Sequence, residues 1–204
     1  MMTRHYITMV LMLLISLLKV YPQSTHPFSA RIAVASTNQS VTLDNGNTIS
    51  SSMRLLVPDV GLLVDLFASS YFSIVTGLEY QQRGIGESVP FYNSWLLHED
   101  ALNFRFRYLS LPLLARFRYR LRTITPYALG GCSVNYNLDP LLGEPLVLDA
   151  TFGVGIRVQD IFPSPVFIES RYSVDLTPAL DPVSDDGYKK VNSNLIDIAL
   201  GISF

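Results

Sequence analysis

One cluster in the chain has the residue types of nucleophilic catalysis: Asn93-Ser94-Trp95-Leu96-Leu97-His98-Glu99-Asp100. In it a serine could be activated by a histidine, with Glu99 or Asp100 orienting the base. The plainer reading is preferred, a polar loop in which Trp95 and its apolar neighbours pack over the structure beneath or dock a partner. Asp181, Asp185 and Asp186 offer oxygen ligands of the kind calcium takes, but without EF-hand spacing, and read as a solvated hairpin tip. Gly153-x-Gly155 and Gly130-Gly131 are not phosphate loops, because no helix follows them. They give room in a crowded interior. Cys132 stands alone, which excludes an intrachain disulfide framework and a cysteine-based zinc site. No catalytic, cofactor or metal site is expected, and the chain is read as a non-enzyme.

A different set of charges has the better claim to a role. Glu79, Arg116, Arg118, Asp149, Arg157, Glu169, Arg171 and Asp197 all fall on the polar side of segments that alternate apolar and polar residues. Arginine facing carboxylate in an enclosed space gives bidentate ion pairs, so this set is expected to form a structural network.

Composition narrows the field. Charged residues make up 16% of the 204, against a typical value of about 25%. The formal charge of −2 leaves no basic footprint for nucleic acid. Lys19, Lys189 and Lys190 are the only lysines. Much of such a surface is expected to touch something other than water.

The first segment reads as a targeting signal. A basic start, Met1 to Tyr6, precedes the apolar stretch Ile7–Val20, which is too short for a spanning helix and ends at a lysine. Residues 1–24 are therefore expected to be an export signal, with the cut after Ser24 or Ala30, and 28–204 a single domain.

The remainder alternates with the period of two that places successive side chains on opposite faces of a strand. Leu148, Ala150, Phe152, Val154, Ile156 and Val158 oppose Asp149, Thr151, Gly153, Gly155, Arg157 and Gln159. Ile196, Ile198, Leu200, Ile202 and Phe204 oppose Leu195, Asp197, Ala199, Gly201 and Ser203. Eight such strands are expected, the weakest over Phe28–Ser36. The phase flips between Tyr108 and Leu109, which predicts a β-bulge, and Pro112 interrupts the same strand. Long connections (Gly84–Asn103, Asp139–Val147, Pro178–Val191) alternate with tight turns, the layout of an up-and-down transmembrane barrel.

The apolar face is expected to point outward. Turned inside out, the barrel would place several arginines in lipid, at about 2–4 kcal/mol each near the midplane. The acids Asp59, Asp65, Glu79, Asp149, Glu169, Asp175 and Asp197 nearly match Arg31, Arg83, Arg116, Arg118, Arg157 and Arg171, as a closed interior requires, and no lysine is expected on a strand. Phe72, Tyr80, Phe117, Tyr119, Tyr136 and Phe204 lie near strand ends, where interfacial aromatic girdles belong. Eight strands leave an interior that side chains can fill, so a plugged lumen is expected. The alternative is a secreted or periplasmic soluble barrel, lipocalin-like, binding an apolar ligand within.

The motifs Gly77-Leu78-Glu79-Tyr80, Tyr108-Leu109-Ser110-Leu111-Pro112-Leu113-Leu114, Pro126-Tyr127-Ala128-Leu129-Gly130-Gly131, Glu169-Ser170-Arg171-Tyr172 and the terminal Gly201-Ile202-Ser203-Phe204 carry a resemblance. In this order they resemble the PorT-like family of small bacterial outer-membrane β-barrels, from about Gly61 to Phe204. The resemblance implies export, contact with outer-membrane lipid, assembly by the barrel assembly machinery through a C-terminal aromatic signal at Ile202 and Phe204, and no catalytic activity. Any protein partner is expected at the extracellular loops.

Overall fold

The computed structural model describes residues 26–43, 48–50, 55–87, 102–139, 144–178 and 188–204. The expectations for 1–24, for Ser94, Trp95, His98, Glu99 and Asp100, and for Asp181, Asp185 and Asp186 fall outside the described residues.

The alternating segments form strands β1 (Phe28–Leu43), β2 (Thr48–Ser50), β3 (Leu55–Leu66), β4 (Phe72–Glu87), β5 (Leu102–Arg118), β6 (Ile124–Asn137), β7 (Leu146–Val158), β8 (Val166–Asp175) and β9 (Tyr188–Ser203). Each pairs antiparallel with its neighbours. β2 and β3 share one edge of β1, β2 against Ser40–Thr42 and β3 against Phe28–Thr37, so nine runs occupy eight wall positions. The other edge of β1 pairs with β9 from Ser29↔Ser203 to Leu43↔Tyr188. That pairing closes the sheet into an eight-position barrel. There is no helix among the described residues.

The alternation decides which atoms meet which surroundings. Ile32, Leu62, Val154 and Leu200 project from the outer wall, each more than 60% exposed. Their neighbours one residue along, Arg31, Gly61 and Ala199 among them, turn inward and are buried. The lipocalin-like alternative needs the opposite assignment and is overturned. Phe28 stacks on Phe204, and Phe72 meets Phe117 at a tilt, at the end carrying the tight turns, with Tyr71 and Tyr119 exposed beside them.

Three sequence expectations need correction. No bulge lies between Tyr108 and Leu109: the β5–β6 register runs unbroken from Tyr108↔Asn137 to Arg118↔Tyr127. Phe106 and Tyr108 point inward and are buried, while Arg107 faces out to meet Asp139. On β5 the outward position at that height is taken by a charged residue, with Gln82 of β4 beside it, so the rule that apolar means outward stops applying on that strand there.

Pro112 does sit inside β5, opposite Ser133 of β6, but the β4–β5 ladder skips the residues between Thr76↔Leu113 and Glu79↔Ser110. The donor that proline lacks thus falls beside a break. Gly77 stands at the break: its φ is +155°, and a Cβ there would run into the Leu62 carbonyl oxygen, so no side chain fits.

The connections are shorter than expected, because β4 reaches Glu87, β5 begins at Leu102 and β9 at Tyr188. Lys189 and Lys190 therefore belong to a strand, at the loop end of β9.

Candidate functional site in the barrel lumen

The inward positions bring the charges together in three tiers. At the turn end, Asp65 is shared by Arg116 (3.0 Å), Arg157 (3.4 Å) and Arg118 (3.8 Å). Ser73 Oγ donates to Asp65 at 3.0 Å and accepts from Arg118. In the middle, Arg31 donates to Glu79 at 2.8 Å and to Asp197 at 2.7 Å, and Arg171 donates to Glu79 at 2.8 Å and to Glu169 at 2.6 Å. Tyr127 donates its hydroxyl to Glu169 at 2.9 Å, and Arg116 approaches the same carboxylate at 3.7 Å, joining the lower tier to the middle one. At the loop end, Arg83 lies between Asp149 and Asp175, the latter at 2.7 Å, and donates to Gln81 at 3.1 Å. Ser193 donates to Asp175 through both its backbone N–H (2.6 Å) and its hydroxyl (2.7 Å).

Apolar groups fill the space between the tiers. Leu63, Val75, Leu114, Tyr127 and Leu129 form one buried cluster, and Phe106, Tyr108 and Val147 another. Tyr127 and Tyr108 also offer their ring faces to Arg116 (4.8 Å) and Arg83 (5.2 Å), and for Arg116 this adds attraction where one carboxylate is shared by three arginines. Large side chains fit because glycines stand opposite them. A Cβ at Gly61 would lie 2.7 Å from Glu79 Cγ, and one at Gly201 would run into the Phe167 ring. The same contact explains why Phe167 breaks the alternation of β8: it faces inward because Gly201 across the ladder leaves it room. Gly155 similarly lies under the Tyr127 ring, whereas Gly130 faces outward beneath Phe152.

Glu79, Arg116, Arg118, Asp149, Arg157, Glu169, Arg171 and Asp197 all lie in these tiers. Arg31, Arg83, Asp65 and Asp175 join them as hubs that the sequence reading counted as inward charges without placing in the network. Their parity on the strands was the available signal. Asp59 is buried as well, with no hydrogen-bond partner for either carboxylate oxygen among the described groups. Ile202 and Phe204 are exposed on the outer wall at the turn end, and Cys132 is exposed on the outer wall. No group of histidine, cysteine and carboxylate side chains suited to a metal occurs among the described residues. Outside the strands, Asp139 is gripped by Arg107 Nε (3.1 Å) and Nη2 (2.5 Å) and by its backbone N–H (2.9 Å). The Arg107 hydrogen bonds hold its carboxyl below the usual aspartate range.

A closed barrel with an apolar wall outside and paired charges within is built for a bilayer, which supplies the apolar surroundings that wall requires. The class is the integral transmembrane β-barrel. Residues 23–140 match the family model of the outer membrane protein beta-barrel domain, and the chain belongs to that family. It is a protein of the bacterial outer membrane. Its fold is similar to that of Neisserial surface protein A, at 12% identity and a TM-score of 0.51, covering 87% of this chain and 97% of that one. Ail, the attachment invasion locus protein of Yersinia pestis, aligns at 13% identity over 88% of this chain and 100% of that one, with a TM-score of 0.42. The outer membrane enzyme PagL aligns at 12% identity over 82% and 97%, with a TM-score of 0.43. Comparison with curated protein sequences finds no significant match. A shared barrel speaks to fold; function belongs to the site.

Proposed function

We propose that this chain is a non-catalytic outer-membrane protein whose lumen is plugged by its own side chains and whose dealings with other molecules pass through its extracellular loops. The carrying observation is the three-tier network, in which Arg31, Arg83, Arg116 and Arg171 are buried and each is paired with carboxylates of the same lumen. Breaking such a pair leaves an uncompensated buried charge, so the network favours a fixed interior over a gated one. Within the wider family the chain is placed with the PorT-like barrels on the motifs that resemble them. Residues 1–24 direct export and are removed. Ile202 and Phe204, closing the last strand, present the aromatic end to the barrel assembly machinery. The test is conductance of the purified chain in planar bilayers. The proposal expects no steady channel above the bare membrane; a stable open-channel current would contradict it.

A further inference from the structure

Short turns of outer-membrane barrels face the periplasm, so the lower tier lies at the periplasmic mouth of the lumen. Cations outnumber carboxylates there. Arg116, Arg118 and Arg157 share Asp65, and Arg120 has no ion pair among the described residues. Glu169 offers Arg116 little more, since Arg171 and Tyr127 already hold it. The four arginines line a recess with Thr125, Tyr127 and Gln159. Thr125 is 2% exposed, and its hydroxyl has no partner among the described groups; the Nε atoms of Arg116 and Arg118 are equally unmatched. Free space in the recess is about 10 Å³, room for one water-sized atom.

On the other side of the wall a groove of about 810 Å³ opens toward lipid. One row of cross-strand partners explains it: Phe117, Ala128, Val154, Ser170 and Ile198 follow one another from β5 to β9, so small Ala128 and Ser170 leave depressions between large neighbours. Tyr119 and Ile156 extend the groove toward the turns. Arg118 and Tyr127 border both the groove and the recess.

We propose that groove and recess together form a head-and-tail site for an anionic glycerophospholipid of the periplasmic leaflet. One phosphate oxygen enters the recess toward Thr125 and Arg118, the rest of the phosphate stays at the rim beside Arg120, and an acyl chain lies over Ala128 and Ser170. The surplus of guanidinium groups selects a net-negative lipid over a zwitterionic one, because the ammonium of the latter would meet the same arginines. The site is independent of whether the loops bind a partner and whether the lumen conducts.

Native mass spectrometry of the full chain, released from nanodiscs holding equal phosphatidylglycerol and phosphatidylethanolamine, tests the inference. The wild type is expected to retain one phosphatidylglycerol in preference. Arg120→Gln removes a charged contact and is expected to reduce retention about tenfold, the scale of one hydrogen bond to a charged group. Ala128→Phe fills the groove while leaving every arginine in place and is expected to reduce retention as well. Both positions are exposed, and a heat-dependent shift in gel mobility checks that each variant folds. Equal retention of the two lipids by all three proteins would overturn the site, leaving only lipid that coats the wall. Retention that falls with Arg120→Gln but ignores Ala128→Phe, with inorganic phosphate competing, would overturn the lipid and leave a free-anion site.

Discussion

At the loop end of the lumen a single cation, Arg83, is held between two carboxylates, Asp149 and Asp175. At the turn end a single carboxylate, Asp65, is shared by Arg116, Arg118 and Arg157. The imbalances are opposite in sign, and neutral groups offset part of each. Two donors of Ser193 take up the excess acceptor capacity of Asp175, and the Tyr127 ring and Ser73 hydroxyl take up part of the excess cation below. Between them the middle tier sets Arg31 and Arg171 against Glu79, Glu169 and Asp197. Such a lumen can carry a surplus of either sign, provided polar neutral side chains stand where counter-charges run short.

Breaking the comparison at the loop end is expected to have the largest effect. Arg83→Met leaves Asp149 and Asp175 facing each other without a cation. The predicted loss is about 3–5 kcal/mol, read as a lower urea midpoint for the chain refolded in lipid.

Asp65→Asn breaks the other end and is predicted to cost less, about 1–3 kcal/mol. Arg118 and Arg157 retain some access to water at the mouth, with side chains 10% and 7% exposed, whereas Arg83 is sealed. A larger loss from Asp65→Asn than from Arg83→Met in the same titration would reverse the ranking of the two ends.

The smallest effect belongs to a pair outside both tiers. Asp139 is depressed by its hydrogen bonds from Arg107, so the unfolded chain binds its proton more readily than the folded one. Its contribution is fully present above the ordinary aspartate range and disappears as pH falls through the lowered folded value. Asp139→Asn is therefore expected to lower the urea midpoint slightly at neutral pH and to leave it unchanged in strong acid, where the wild type has lost the same interaction. A difference that persists in acid would assign the effect to packing rather than charge.

Much of this architecture was legible from period two alone, because a wall with lipid on one side and ion pairs on the other punishes a one-residue slip at every position. Leu148–Gln159 and the C-terminal strand show the rule in its simplest form. It failed at Phe106 and Tyr108, where an apolar residue gains more by packing inward with Val147 than by facing a polar exterior. It also left Phe167 unexplained, since the accommodating glycine at 201 lies far along the chain and next to it only across the ladder. Parity placed the charges on the inner face but could not pair them. Arg83 and Asp175, or Arg171 and Glu79, are 92 residues apart and meet across the lumen rather than along a strand. Which of them share a height depends on strand stagger, and no local pattern encodes that.

The central claim, that the buried charges matter as compensated sets rather than singly, is tested most directly by a multiple-variant cycle at the loop end. Unfolding free energies would be measured in lipid for Arg83→Met, for Asp149→Asn with Asp175→Asn, and for all three substitutions together. The account predicts that the triple variant recovers most of the stability that Arg83→Met loses, because removing the whole set leaves no unpaired charge. A triple variant as unstable as the sum of its parts would contradict it.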